Sequence, residues 1–148
     1  MKGEPMVILL VEDDEAHAEI VRRNFETYHM ANHLIHVSDG QAALDYLYQR
    51  NGFSDPATSP RPGLVLLDLR LPKVNGLEVL KIIKDDAGLK RIPVVILTTS
   101  KAEEDMAKAY DNQANSYLVK PVEFGQFAEL MKHLACYWLT WNRYPHGV

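Results

Sequence analysis

Met6 to Val11 is an unbroken apolar run, rich in β-formers, that stops abruptly on Glu12, Asp13 and Asp14. Leu64 to Leu67 repeats the pattern and ends on a single acid, Asp68, with Arg61-Pro62-Gly63 before it and Leu71-Pro72 after it. Short runs bounded by turn formers and lacking alternation read as strands buried on both faces, as in a parallel sheet. Ile92 to Leu97 reads the same way, with Pro93 near its start, where a missing N–H is tolerated. Leu34 to Val37 and Tyr117 to Val119 supply two further strands, the latter closed by Lys120-Pro121.

Between these runs the period changes to that of a helix. Ile20, Val21 and Phe25, extended by His17 and Tyr28, predict an amphipathic helix from about Asp14 to Tyr28. Ser38-Asp39-Gly40 offers a cap for a second helix marked by Ala43, Leu44, Leu47 and Tyr48. Asn75-Gly76 turns the chain into a third, over Leu77 to Ile83. Ser100 and Glu103 match a capping box that opens a fourth through Met106 and Tyr110. Phe127, Leu130, Met131, Leu134, Trp138 and Trp141 trace a long final helix to Pro145. From Arg50 to Pro62 turn formers replace periodicity, which predicts a long loop of the kind that is functional or mobile. Strand and helix thus alternate five times, pointing to an α/β doubly wound parallel sheet with helices on both faces.

Composition narrows the setting. A chain of 148 residues fits one domain, residues 1–148, with a full core. A net charge of −4 and scattered basic residues speak against a nucleic-acid grip, which needs clustered positive charge. The apolar run at Met6 falls far short of the ~20 residues that span a bilayer. The acids directly after it also exclude a signal-peptide core with a small-residue cleavage site. No membrane association is therefore expected, and the single cysteine, Cys136, precludes an internal disulfide, so a reducing, cytoplasmic setting is expected.

The strand ends carry the candidate chemistry. If the strands ending in Glu12-Asp13-Asp14 and Asp68 are neighbours, three or four carboxylates share a small space, and like charges that close need a cation. A hard divalent ion with oxygen ligands, Mg²⁺ above all, suits such a set. The plainer reading of Glu12-Asp13-Asp14 is a solvated helix start, where negative charge complements the dipole. Thr98-Thr99-Ser100 adds hydroxyls at the same edge and Lys120 adds an ammonium, although Thr and Ser commonly cap helices and a Lys before Pro is commonly a surface residue. Acids, a hydroxyl and an ammonium from four strand ends suit phosphoryl transfer, in which catalysis is mostly positioning and charge neutralisation.

Glu12-Asp13-Asp14, Leu66-Leu67-Asp68 with Pro72 and Gly76, Leu97-Thr98, and Tyr117-x-x-Lys120-Pro121 together resemble the receiver domain of two-component response regulators, from about Met6 to Leu139. The resemblance implies a flavodoxin-like (βα)5 fold with a five-stranded parallel sheet in the order 2-1-3-4-5. It implies that Asp68 accepts a phosphoryl group from a sensor histidine kinase, and that Glu12, Asp13, Asp68 and the backbone carbonyl of Arg70 hold Mg²⁺. Lys120 would pair with the phosphoryl oxygens through a cis peptide to Pro121. Thr98 would reach the phosphoryl group, and Tyr117 would follow it inward, unless Tyr117 is simply a core aromatic. Arg70 and Thr99 stand where receivers vary and are expected to tune phosphate lifetime.

Only Arg143 to Val148 follow the final helix, so a stand-alone receiver is expected, signalling by contact near the fourth and fifth helices. The long loop and the aromatic end, Tyr137, Trp138 and Trp141, resemble single-domain regulators paired with bacterial phytochrome-type kinases. Those aromatics either cap the core or form a homodimer seam on the C-terminal helix side. The rival reading is a phosphatase of the haloacid-dehalogenase type with Asp68 as nucleophile. That family's motif places a second Asp where this chain has Arg70. A passive adaptor would have no use for the acid set. No Gly-rich phosphate loop is present, and the six His show no ligand spacing.

Overall fold

The computed structural model describes residues 6–26 and 33–143. Along the chain run β1 (Val7–Val11), α1 (Glu15–Glu26), β2 (His33–Val37), α2 (Gly40–Leu47), β3 (Leu64–Leu67), α3 (Gly76–Asp85), β4 (Val94–Thr98), α4 (Glu103–Asp111), β5 (Ser116–Val119) and α5 (Phe124–Cys136). All strands pair in parallel, in the order β2-β1-β3-β4-β5. This is the flavodoxin-like doubly wound sheet that the alternation and the motifs predict.

Strand side chains alternate between faces, so each apolar run feeds two cores. Leu9, Val11, Val65, Leu67, Val94 and Ile96 pack with Ala43, Leu44 and Leu47 of α2, Val79, Leu80 and Ile83 of α3 and Ala109 of α4. Ile8, Leu10, Leu64, Leu66, Val95 and Leu97 face the other way, onto Ala18, Val21 and Phe25 of α1 and Phe127, Met131 and Ala135 of α5. Two-sided burial is why these runs show no polar alternation.

Several expectations shift in detail. The buried face of α1 is Ala18, Val21 and Phe25; His17 leaves it and turns toward the carboxyl edge of the sheet, where it meets Lys120. Tyr28 and Pro145 lie outside the described residues. The final helix stops earlier than Pro145: after α5 the chain makes one π-helical turn, Tyr137–Trp141, and Asn142 is already extended. Trp138 closes the core, whereas Trp141 is 73% exposed, so one aromatic caps and the other faces out.

The capping box at Ser100 does not form. Ala102 occupies the N-cap without a side-chain bond, because the Ser100 hydroxyl donates to the Asp105 carboxylate at 2.6 Å, and a charged acceptor makes the stronger bond. Asp39 and Asn75 do cap their helices, accepting from Ala42 and Glu78. The loop after α2 is pinned to it: the Tyr46 hydroxyl donates to the Pro60 carbonyl at 2.7 Å, the Gln49 amide to that of Ser59 at 3.0 Å, and Phe53 meets the Tyr46 ring edge-on.

Gly76 opens α3 directly beneath Asp68. A Cβ there would stand 2.2 Å from the Asp68 carbonyl oxygen and 2.6 Å from Leu69 Cα, both rigid backbone. The close approach fixes the loop that presents Asp68. Gly76→Ala is expected to lower the unfolding free energy by about 1–3 kcal/mol, the usual cost of overpacking, read from urea denaturation.

Candidate functional site

β1, β3, β4 and β5 all end at one edge of the sheet, and the next residues on three of them are ionisable: Glu12 after β1, Asp68 after β3 and Lys120 after β5. Backbone bonds continue past the strand ends and hold these residues in place. Asp68 N–H donates to Val11 (3.1 Å), Glu12 N–H to Val37 (3.0 Å) and Lys120 N–H to Thr98 (2.7 Å).

Lys120 is the hub. Its ammonium donates to Glu12 Oε1 at 2.6 Å, to Asp68 Oδ2 at 3.1 Å and to His17 Nδ1 at 3.0 Å. Lys120, Glu12 and Asp68 are all buried. Two carboxylates against one ammonium leave the cluster short of positive charge. Burial pushes the Glu12 carboxyl up to about 7, against the opposing pull of Lys120, and the Asp68 charge adds to the rise.

Asp13 completes an oxygen set. One carboxylate oxygen from each of Glu12, Asp13 and Asp68 lies within 4.8 Å of the others, Asp13 being the exposed member. An all-oxygen, anionic donor set open to water on one side fits a hard divalent cation that retains several waters. Arg70 lies two residues past Asp68, and its N–H points at Asp68 Oδ1 at 3.4 Å.

Thr98 and Tyr117 lie one step further out and converge on Ser100. Thr98 is fully buried, with Oγ1 accepting from the Ser100 N–H at 3.4 Å. Tyr117 is half-buried, its hydroxyl donates to the Ser100 carbonyl at 3.2 Å, and burial raises its pKa. The Arg70 guanidinium reaches across to α4 and pairs with Asp105 at 2.6 Å, the carboxylate that also accepts from Ser100.

The edge therefore brings Glu12, Asp68 and Lys120 into direct contact, gathers Asp13 with the acids, and places Thr98 and Tyr117 in the adjoining network. One expectation fails. The Lys120–Pro121 peptide is trans, since no cis bond occurs among the described residues; trans is the preferred form even before proline, and Lys120 reaches Asp68 from it.

Sequence reasoning missed His17, His36 and Asp105 at the site. His36 on β2 bonds the Glu12 carbonyl through Nε2 at 2.7 Å, steadying the acid loop from its far side. His17 stands three residues after Asp14, which caps the start of its helix, and its closeness to the acid run is the available signal. The Arg70–Asp105 contact joins segments 35 residues apart, and no local pattern announces it.

The family profile of the response regulator receiver domain matches residues 8–134, and the chain belongs to that family. A probable methanogenesis regulatory protein, FilR2 of Methanothrix harundinacea, is 46% identical over 142 residues, covering 96% of this chain and 89% of its own length. Response regulator Rcp1 of Synechocystis is 42% identical over 135 residues, 91% of this chain and 90% of its own length. The Mn²⁺-bound Rcp1 crystal structure matches with a TM-score of 0.91 at 41% identity, over 95% of this chain and 99% of that one. The phosphorylated cyanobacterial phytochrome response regulator RcpA also gives 0.91, at 37% identity over 96% of this chain and 99% of its own. None of these is a phosphatase of the dehalogenase type, and the chain is a response regulator receiver with a phospho-acceptor function.

Glu12 sets a pH dependence for the metal-free protein. Its folded value of about 7 lies above the ordinary 4.5, so between these values the folded chain keeps a proton that the unfolded chain has lost. Rising pH across that window weakens the metal-free fold through this group. A divalent cation requires the ionised form and binds more tightly over the same window. The upward shift in urea midpoint on adding Mg²⁺ is expected to be larger at about pH 8 than at about pH 5.

Proposed function

We propose that Asp68 is the phospho-acceptor of a receiver whose output is a protein contact. The observation that carries this is the buried Asp68 carboxylate, held by the Lys120 ammonium at 3.1 Å beside the Glu12 and Asp13 oxygens. An Asp68 oxygen forms a bond to phosphorus as the P–N bond of a kinase phosphohistidine breaks, and the imidazole departs with a proton. Lys120 neutralises the charge that gathers on the phosphoryl oxygens. Glu12, Asp13, Asp68 and the Arg70 backbone carbonyl would hold Mg²⁺, which would supply further positive charge to the phosphoryl oxygens.

Thr98 is the hydroxyl that meets the phosphoryl group, and Tyr117 is the ring that follows it. Both are bonded to Ser100, so a movement of Thr98 reaches Tyr117 and, through Asp105, helix α4. This supports a switch read out on the face near α4 and α5. Arg70, tied to Asp105, stands between site and face, where it tunes phosphate lifetime, as does Thr99 beside Thr98.

The protein turns over no external substrate on this reading. Its own uptake and loss of the phosphoryl group is the chemistry, and Arg70 stands where a dehalogenase-type phosphatase needs an acid. Relatives matched over nearly their whole length support a receiver acting without a separate output domain. Likeness to Rcp1 and to a phytochrome response regulator supports a phytochrome-type histidine kinase as donor. The exposed Tyr137 and Trp141 support a homodimer on the C-terminal helix side. Among the described residues no helix is long and apolar enough to cross a membrane. The cytoplasmic place rests on the single cysteine, and the absence of a nucleic-acid grip on the net charge of −4.

Incubation with Mg²⁺ and acetyl phosphate is expected to give a one-phosphate mass gain in the wild-type chain and none in Asp68→Asn. Multiple-turnover release of phosphate from small phosphomonoesters would overturn the receiver reading in favour of the phosphatase. Sizing-column profiles of the same samples show whether the phosphoryl group changes the oligomer. Phosphate transfer from a phytochrome-type kinase, compared with unrelated histidine kinases, tests the pairing.

A further inference from the structure

The Lys120 ammonium has three hydrogens and three acceptors, and only two of those acceptors are acids of the site. The third is His17 Nδ1, at 3.0 Å. An ammonium donates only, so Nδ1 must accept, which makes His17 a neutral imidazole protonated on Nε2. The balance of surroundings favours that state: partial burial and the positive charge of Lys120 lower the His17 pKa, outweighing the Asp14, Asp68 and Asp13 charges that raise it. Asp14 caps the start of the helix that carries the ring, its Oδ1 accepting from the His17 backbone N–H at 3.1 Å, while its Oδ2 stands 3.7 Å from Nδ1, farther than the Lys120 ammonium. Phe127 of α5 meets the imidazole edge-on, with centroids 5.4 Å apart.

From this geometry we infer that His17 is a positioning residue for phosphoryl transfer, aiming the Lys120 ammonium at the acceptor oxygen of Asp68. The inference rests on the receiver reading above. A lysine side chain ends in a rotor with four flexible bonds behind it, and it delivers charge to one oxygen only if its other hydrogens are held. Glu12 holds one hydrogen through its carboxyl oxygen Oε1. His17 holds another without adding negative charge to a cluster that already has an excess. A third carboxylate at this position would draw the ammonium off Asp68, and an apolar residue would leave one buried N–H unpaired. The imidazole meets both requirements. Because it projects from α1, which packs against α5, the aim of Lys120 depends on how those two helices sit together.

Two variants separate the acceptor from the ring. His17→Phe keeps the flat ring against Phe127 and removes the acceptor. His17→Asn keeps an acceptor near the Nδ1 position and removes the ring. The rate of phosphorylation by acetyl phosphate with Mg²⁺ is expected to fall about tenfold in His17→Phe, the scale of one lost hydrogen bond to a charged group. It should recover most of that loss in His17→Asn. Equal rates in all three proteins, or an equal fall in both variants, would overturn the inference and leave His17 as packing.

A second readout needs no phosphoryl transfer. In the unphosphorylated wild-type protein, nitrogen-15 shifts of the His17 ring are expected to show the Nε2–H tautomer with an accepting Nδ1. An Nδ1–H tautomer would overturn the inference even if His17→Phe failed to fold. Should the wild-type chain take up no phosphate at all, the receiver reading falls, and the ring shifts still decide whether His17 holds Lys120.

Discussion

A single buried ammonium between two buried carboxylates organises this molecule. Lys120, Glu12 and Asp68 come from three different strand ends, and none of them has water to fall back on. Removing a charge from the interior is expensive unless it is paired, and leaving one member of a buried set alone is more so. The chain must therefore close its sheet in the one order that brings these ends together. In the order β2-β1-β3-β4-β5, β1 and β5 are three spacings apart, about 14 Å at the usual strand separation. Side chains reaching inward from both sides must be long, and the one in the middle must be short. Glu12 and Lys120 are the long ones, and Asp68 between them is the short one.

The same constraint accounts for features that otherwise look unrelated. Gly76 lacks a side chain because α3 begins against the Asp68 backbone. His36 bonds the Glu12 carbonyl from β2, so even the strand that contributes no charge braces the acid loop. On the other flank, Thr98, Tyr117 and Asp105 all meet at Ser100, and Arg70 ties Asp105 back to the loop after Asp68. The site is thus joined to α4 by hydrogen bonds on both sides of β4. A change in what Asp68 carries has two routes to the same helix, a more economical arrangement than a movement of the sheet, which is packed on both faces.

What the sequence disclosed follows from the range of each interaction. The strands were legible because burial on both faces removes every polar residue from β1, β3 and the body of β4, and the acids and lysine stood out by ending those runs. Asp39 was legible as a cap because a cap acts over three residues, and Asn75, read only as a turn, caps α3 in the same way. Ser100 carried the same local signal, and a partner two residues beyond the box overrode it: Asp105 is buried and charged, and it claims the hydroxyl that the capping box would have used. His17 fell to a related ambiguity. Helical spacing groups it with Val21 and Phe25, yet a residue at the margin of an apolar face also borders the next surface, and here that surface is the sheet edge. Whether a marginal histidine packs or binds depends on an ammonium 103 residues away.

The count of hydrogens on Lys120 explains why holding a phosphoryl group would act as a signal. All three are committed before any phosphate arrives. A phosphoryl oxygen that takes one must displace an existing partner. His17 is neutral and sits on packed helix, so it has no charge to be traded. Glu12 is the partner with somewhere else to go, since its carboxylate also belongs to the oxygen set suited to a divalent cation. Charge added on Asp68 would then redistribute bonds at β1, β3 and β5 together, which no isolated surface carboxylate could do. Arg70 cannot serve as the proton donor that would end the state quickly, because a guanidinium keeps its proton at any ordinary pH and this one is already engaged with Asp105. That position therefore lacks the general acid that a dehalogenase-type phosphatase uses.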